Sequence, residues 1–196
     1  MVANVLSGSV QLTMGRGLGI DEGVQIRDQW REGTVDVGPL RSWIAIYPQF
    51  INPNPPIMLD LSFRRALLQG IDRAQLVEEL GLGLTAVADA IVSPRDAEYS
   101  RIESRIVKYS YDTRAATSGL EVLGFARGQD GMFRDTSGQP LTIPTQTSQG
   151  AALQEKAALA VADYWQRLGI KVDQDIIPTQ ARTDRPRRAG RPGFEI

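Results

Sequence analysis

The sequence predicts an α/β fold, a mixed sheet with flanking helices, and three observations carry that reading. Residues 59–73, LDLSFRRALLQGIDR, put Phe63, Ala66, Leu67, Gly70 and Ile71 on one stripe, the i, i+3, i+4, i+7, i+8 spacing of a half-buried helix. Residues 170–177, IKVDQDII, set apolar side chains at Ile170, Val172 and Ile176, the alternation of a strand. Cap and glycine signals then separate helical from extended segments along the chain, the order expected of helices packed on a sheet.

The elements follow in sequence. Residues 2–13 read as the end of a helix, a break at Ser7-Gly8 and a short strand over 10–13. GRGLG (15–19) is glycine-rich, but without strand-to-helix context or a distant ribose-binding acid it reads as a flexible loop rather than a dinucleotide site. Asp21 is placed to cap a helix running to about Glu32, with Ile20, Val24 and Trp30 as its apolar contacts. SWIAIYPQF (42–50) is aromatic and β-branched, hence strand-like. The prolines of NPNPPIM (52–58) forbid regular structure. After the strongest helix, Asp72 starts another, with Gln75 three residues on as in a capping box, ending near Gly81. Residues 82–108 are mixed and broken by Pro94.

Residues 109–135, YSYDTRAATSGLEVLGFARGQDGMFRD, raise the question of chemistry, because they hold Asp112, Glu121, Asp130 and Asp135. Asp112 is placed to accept from the amides of Arg114 or Ala115 as a helix N-cap. Ala115, Ala116, Gly119, Leu120 and Leu123 form the apolar face, and Gly124 supplies a left-handed stop. GMFRDTSGQPLTIPTQT then reads as two strands joined by a turn at 135–138. The helix at 151–168 carries Leu153, Ala157, Ala160, Tyr164 and Leu168 on one side and stops at Gly169. Residues 181–196, ARTDRPRRAGRPGFEI, show no periodicity and are expected to be a mobile tail.

Composition excludes several functions. The chain has 196 residues, 42% hydrophobic, with a formal charge of −1, so no global field draws it to nucleic acid or anionic membranes. It has no Cys and no His, which removes disulfides, thiolate nucleophiles, the Ser-His-Asp triad and the commonest metal ligands. No run approaches the roughly 18 apolar residues of a membrane span. The N-terminus lacks the basic head and apolar core of a signal peptide.

Each candidate site has a plainer reading. DGMFRDTSG lacks the acid ladder and terminal Glu of a calcium loop and reads as a hairpin turn, so no metal is expected. Asp173 and Asp175 share a strand face that solvent suffices to explain. The arginines at 182, 185, 187, 188 and 191 are diluted by Asp184 and Glu195 and have no aromatic platform, which argues against nucleic acid. Arg64 and Arg65 are expected to form surface ion pairs.

Four segments, in order, resemble one family. VLSGSVQLT (5–13) resembles a hinge strand, although Gln11 stands where an Asp is usual. DLSFRRALLQGIDRAQLVEEL (60–80) resembles a helix pair of the form D-x-R-V-R-Q-A-L-x-x-A-I-D-R. KYSYDTRAATSGLEVLGFARGQDGMFRDTSGQPLTI (108–143) resembles Y-x-Y-D-P-x-x-A-x-x-L-L-x-x-A-G followed by D-G-x-x-R-D-x-x-G-x-P-L, with Thr113 in the proline position and Gly119 and Glu121 at Leu/Ala positions. ALAVADYWQRLGIKVDQDIIP (158–178) resembles A-x-x-x-A-D-x-W-x-x-x-G-I-K-V. Together they resemble the bacterial extracellular solute-binding proteins of family 5, which serve ABC importers of dipeptides, oligopeptides, nickel complexes and related solutes.

The resemblance implies one lobe of a type II periplasmic-binding-protein-like fold. Residues 4–180 would be the second lobe, and 181–196 an Arg-rich tail leading back to the first. It implies capture of a solute, a peptide foremost, by hinge closure, and delivery to a membrane ABC permease, with no catalysis and no cofactor. Its setting would be periplasmic or extracellular, with a lipoprotein anchor open, and the isolated lobe could self-associate. Within PTQTSQG (144–150), Thr145, Thr147, Ser148 and Gln149 are the expected ligand contacts, at a helix N-terminus that favours a carboxylate. Thr147 or Ser148 equally reads as a plain N-cap. Trp43 and Tyr47 offer stacking surface, or core. Two rivals stand at this point: a ligand-sensing domain of a transcriptional regulator, and an enzyme using Lys108, Lys156 or Lys171, none of which sits in a catalytic context.

Overall fold

The structure is a computed structural model and describes residues 1–14, 17–36 and 42–196. Gly15 and Arg16 of the glycine-rich loop, and residues 37–41, lie outside the described residues. The chain divides into two units, Met1–Trp43 with Ala74–Ile106, and Ile44–Arg73 with Val107–Ile196.

In the first unit, helices α1 (Val2–Leu6) and α2 (Ile20–Gln29) pack together, and Val5 and Ile26 are their buried apolar residues. Residues 10–13 form no strand among the described residues, and Leu12 lies exposed. Asp21 is not the cap. The helix begins at Ile20, and the amide of Gly19 donates to Glu22 Oε2 at 2.9 Å. Asp21 lies in the first turn, where a carboxylate favours the helix dipole.

SWIAIYPQF yields only the two-residue strand β1 (Tyr47–Pro48), because its partner offers a register of two residues. Helix α3 (Leu61–Gln69) is shorter than its sequence pattern. Asp60 starts it by accepting from the amides of Ser62 and Phe63 at 2.6 and 3.0 Å, and Gly70 is its C-cap. Phe63, Ala66 and Leu67 are buried as the stripe requires. Arg64 and Arg65 use aromatic partners: Arg64 donates to Met58 O at 2.7 Å and lies over Phe50, and Arg65 lies over Tyr109. Helix α4 (Arg73–Gly81) ends where expected, and α5 (Tyr99–Ile102) is a single turn in the mixed region.

Helix α6 (Thr113–Val122) packs on α3. The Oδ1 of Asp112 accepts from the amides of Arg114 and Ala115, both at 2.9 Å. Gly119 makes the close crossing possible, since a Cβ there would lie 3.2 Å from Ala66 Cβ. Strands β2 (Ala126–Arg127) and β3 (Phe133–Arg134) form a hairpin about Asp130-Gly131, and Arg134 bridges Pro140 across the second turn.

The main sheet follows. Strand β4 (Thr142–Ser148) leads into helix α7 (Ala152–Leu168), and β5 (Lys171–Ile177) returns parallel to β4. Gly169 ends α7 at φ 95°, and its carbonyl accepts from Phe133 N at 2.7 Å, tying helix to hairpin. The buried core includes Ile143, Val161, Trp165, Leu168, Ile170 and Val172, and Trp165 Nε1 donates to Leu67 O at 3.1 Å. The alternation in β5 breaks at its end: Ile176 is exposed and Ile177 buried.

The tail departs most from the sequence reading. It contains a short helix α8 (Arg185–Ala189) and strand β6 (Phe194–Glu195), which enters the sheet between β1 and β4 in the order β1-β6-β4-β5. Phe194 packs on Trp165 with ring centroids 5.4 Å apart. Three of the tail arginines pair with carboxylates, Arg187 with Asp175 of β5 and Arg188 and Arg191 with Glu195. Among the described residues no helix is long and apolar enough to cross a membrane.

Candidate functional site

Strands β6, β4 and β5 run parallel, so their carboxyl ends meet at one edge of the sheet, the edge where open α/β sheets place ligands. Ser148, Gln149 and Gly150 leave β4 there, and Ile177 ends β5 beside them. Gln149 N donates to Ile177 O at 2.8 Å, which holds the turn against the sheet. A Cβ on Gly150 would lie 3.6 Å from Thr179 Oγ1 and 3.7 Å from Arg182 Nη1, so both side chains belong to this edge.

The predicted site residues separate into two groups. β4 extends to Ser148, so Thr145 and Thr147 are strand residues, and both are buried. The hydroxyl of Thr147 donates to Ile196 O at 2.9 Å, while Ile196 N donates to Gln146 O at 2.9 Å. Thr147 thus fastens the end of the chain to the sheet. Ser148 is half-buried and Gln149 exposed, so those two are accessible at the edge. Trp43 in the first unit and Tyr47 in the second are each about half exposed, rather than core.

Neither Thr147 nor Ser148 caps α7. Ala151 is the N-cap and makes no side-chain bond. The cap comes from within the helix: Glu155 Oε1 accepts from Gly150 N at 2.7 Å and Ala151 N at 3.2 Å. A carboxylate thus already stands beside the positive end of the helix. The sequence does contain this signal, as Glu155 stands in the first turn, but its partners are fixed only by the backward bend of the turn.

The acids at 130 and 135 belong to the turns. Asp130 accepts from Arg134 Nη2 at 2.7 Å and Met132 N at 3.2 Å, and the Arg134 bond is the main reason its pKa lies below 3.8. Asp135 accepts from Ser137 Oγ at 2.6 Å and from Ser137 N and Gln139 N at 2.9 Å, and the Ser137 hydroxyl leads in lowering its pKa. These carboxylates hold two hairpin turns, as the sequence reading expects.

Sequence reasoning missed Gln49. Its Nε2 donates to Ala189 O at 2.7 Å and Arg191 O at 2.8 Å, and its Oε1 accepts from Ile51 N at 2.9 Å. This buried amide holds the segment that leads into β6. Its partners are about 140 residues away in sequence, and no local pattern announces such a contact.

Comparison with known proteins places this geometry among binding proteins. The family model described as bacterial extracellular solute-binding proteins, family 5 Middle, matches residues 25–193. The oligopeptide-binding protein AppA of Bacillus subtilis (strain 168) is 25% identical over 130 residues, which is 66% of this chain and 24% of that protein. NikA from Brucella suis, solved with Fe(III)-EDTA, superposes with a TM-score of 0.78 at 20% identity, covering 99% of this chain and 38% of that one. The oligopeptide-binding protein of Thermus thermophilus, solved with a pentapeptide, gives 0.70 at 22% identity, covering 99% and 34%. The chain thus spans about a quarter of the curated relative and just over a third of these structures.

Proposed function

The chain belongs to the bacterial extracellular solute-binding proteins of family 5, and on that premise we propose that it forms one lobe of a two-lobed protein that captures a peptide outside the cytoplasm. Residues 4–180 are assigned to the second lobe, with 181–196 leading back toward the first. The observation that carries this is the coverage: the match takes in 99% of this chain but only 34% of a pentapeptide-bound binding protein. The named relatives are binding proteins, which favours capture over the sensing domain of a regulator.

No bond is made or broken in this function. The lobes close on the ligand about their hinge, and closure excludes water from the contacts. On the second unit Ser148 and Gln149 are the assigned polar contacts, with Tyr47 as a stacking surface, and Thr145 and Thr147 as the buried supports of the strand that presents them. An extended peptide offers neutral main-chain amides, which suits an edge where the Glu155 carboxylate already stands at the helix terminus. The loaded protein would dock on the permease of an ABC importer, in the periplasm or at the cell surface.

The test is a thermal-shift screen of the protein containing both lobes against di- to nonapeptides, with free amino acids and sugars as controls. Peptides should raise the melting temperature in a concentration-dependent way, and Gln149→Ala should weaken the response. If no peptide stabilises the protein while another solute class does, peptide capture is the wrong reading.

A further inference from the structure

A concavity of about 530 Å³ lies between the first turns of α6, the end of α7 and the β2–β3 hairpin. Three of its lining residues are arginines, Arg114, Arg127 and Arg167, and none is acidic. Thr117, Ser118 and the tyrosines Tyr111 and Tyr164 supply hydroxyls to the same wall. It is separate from the carboxyl edge of the sheet: none of Ser148, Gln149 or Gly150 lines it.

The arginines are held in different ways. Arg127 donates to Gly131 O at 3.1 Å and Leu168 O at 2.9 Å and lies over the Phe133 ring at 4.8 Å. Arg167 pairs with Asp163 and lies over Tyr164. The Arg114 side chain makes no hydrogen bond or ion pair among the described residues. The carboxylates near these residues in the chain include Asp112, which accepts from the amides of α6, Asp130, which pairs with Arg134, Asp163, which pairs with Arg167, and Glu121, one turn beyond Thr117 and Ser118. None of these carboxylates is among the residues that line the concavity. Like charges gathered around one concavity repel each other and focus a positive potential into it.

We propose that this concavity binds a small molecule bearing a phosphate group. Tetrahedral oxyanions accept from several guanidinium N–H groups and hydroxyls at once, and arginine suits them through its fixed fork of donors. The volume exceeds that of a phosphate, and the edge-to-face pair Tyr111–Tyr164, with centroids 6.0 Å apart, gives an organic body a surface to lie on. Arg127 and Arg167 are positioned in advance, and Arg114 is free to close on the anion.

The experiment is a thermal-shift and calorimetric titration of the 196-residue chain at constant ionic strength. The probes are inorganic phosphate and phenyl phosphate, with chloride as control. Both phosphates should give saturable stabilisation, phenyl phosphate at the lower concentration. Arg114→Gln combined with Arg167→Gln should weaken both at least tenfold, while Arg187→Gln, in the tail, should leave them unchanged. Stabilisation by inorganic phosphate alone would assign the site to the free anion; stabilisation by phenyl phosphate alone would assign it to organic esters. A response no larger than that of chloride, or one equal in all variants, overturns the proposal.

Discussion

Replacing Asp112 by alanine should destabilise the protein by about 1 kcal/mol, the usual cost of losing a helix N-cap. The structure supplies the reasoning. One carboxylate oxygen accepts from the amides of Arg114 and Ala115, both at 2.9 Å, and among the described residues no other side chain bonds them. Residue 112 is exposed, so water reaches the freed amides and the loss stays well below that for an orphaned buried donor. The backbone bond from Asp112 N to Gln69 O at 2.9 Å survives the change, so α6 keeps its entry onto α3. With a urea slope of about 2 kcal/mol per M, typical of small proteins, the midpoint should fall by about 0.5 M without a change in slope. Asp112→Asn keeps an acceptor and should lose less. The assay is urea denaturation of the three proteins followed by circular dichroism. An unchanged midpoint for Asp112→Ala would mean that this carboxylate does not hold the helix.

Two further outcomes follow from the same geometry. Gly169→Ala should cost about 1–2 kcal/mol from the left-handed backbone alone, and more because a Cβ at φ 95° would run into the carbonyl of Gly131; urea melts check it, and a neutral change would contradict the tie between α7 and the hairpin. The folded pKa values of Asp130 and Asp135 lie below 3.8, so the stability these carboxylates contribute is present above that pH and is lost as pH falls through their folded values; carboxyl titration by NMR should find both midpoints below 3.8, and midpoints at or above it would remove the turn hydrogen bonds from the account.

What could be read from the sequence was what short-range chemistry decides. Asp112 declares itself because an N-cap needs only the next three residues, and Gly169 because a left-handed stop is local. The stripe of α3 is legible because Phe63, Ala66 and Leu67 all face one core. Strand β4 was harder. Thr and Gln give PTQTSQG little apolar alternation, and Pro144 argues against a central strand. The structure tolerates it because β6 reaches only Thr145 and Gln146, leaving β5 as the neighbour at Pro144. Strand β6 was illegible for a different reason: two residues carry no period. Its place is set by the packing of Phe194 on Trp165 and by the grip of Gln49 on the preceding loop. Ser148 and Gln149 do reach the edge, but nothing local told that Thr147 would be drawn inward by Ile196 O or that Glu155 would bond back to Gly150 N and Ala151 N.

The claim that this chain is one lobe of a two-lobed binder is tested most directly by calorimetry with the same peptides on two proteins, the 196-residue chain and the protein containing both lobes. Each lobe supplies part of the contact surface, and a peptide on one lobe keeps its other side in water, where hydrogen bonds compete with solvent and add little. Halving an interaction of about 8 kcal/mol moves a micromolar site to about millimolar, since about 1.4 kcal/mol is tenfold. The account predicts micromolar binding by the two-lobed protein and millimolar binding or none by the isolated chain. Micromolar binding by the chain alone would contradict it.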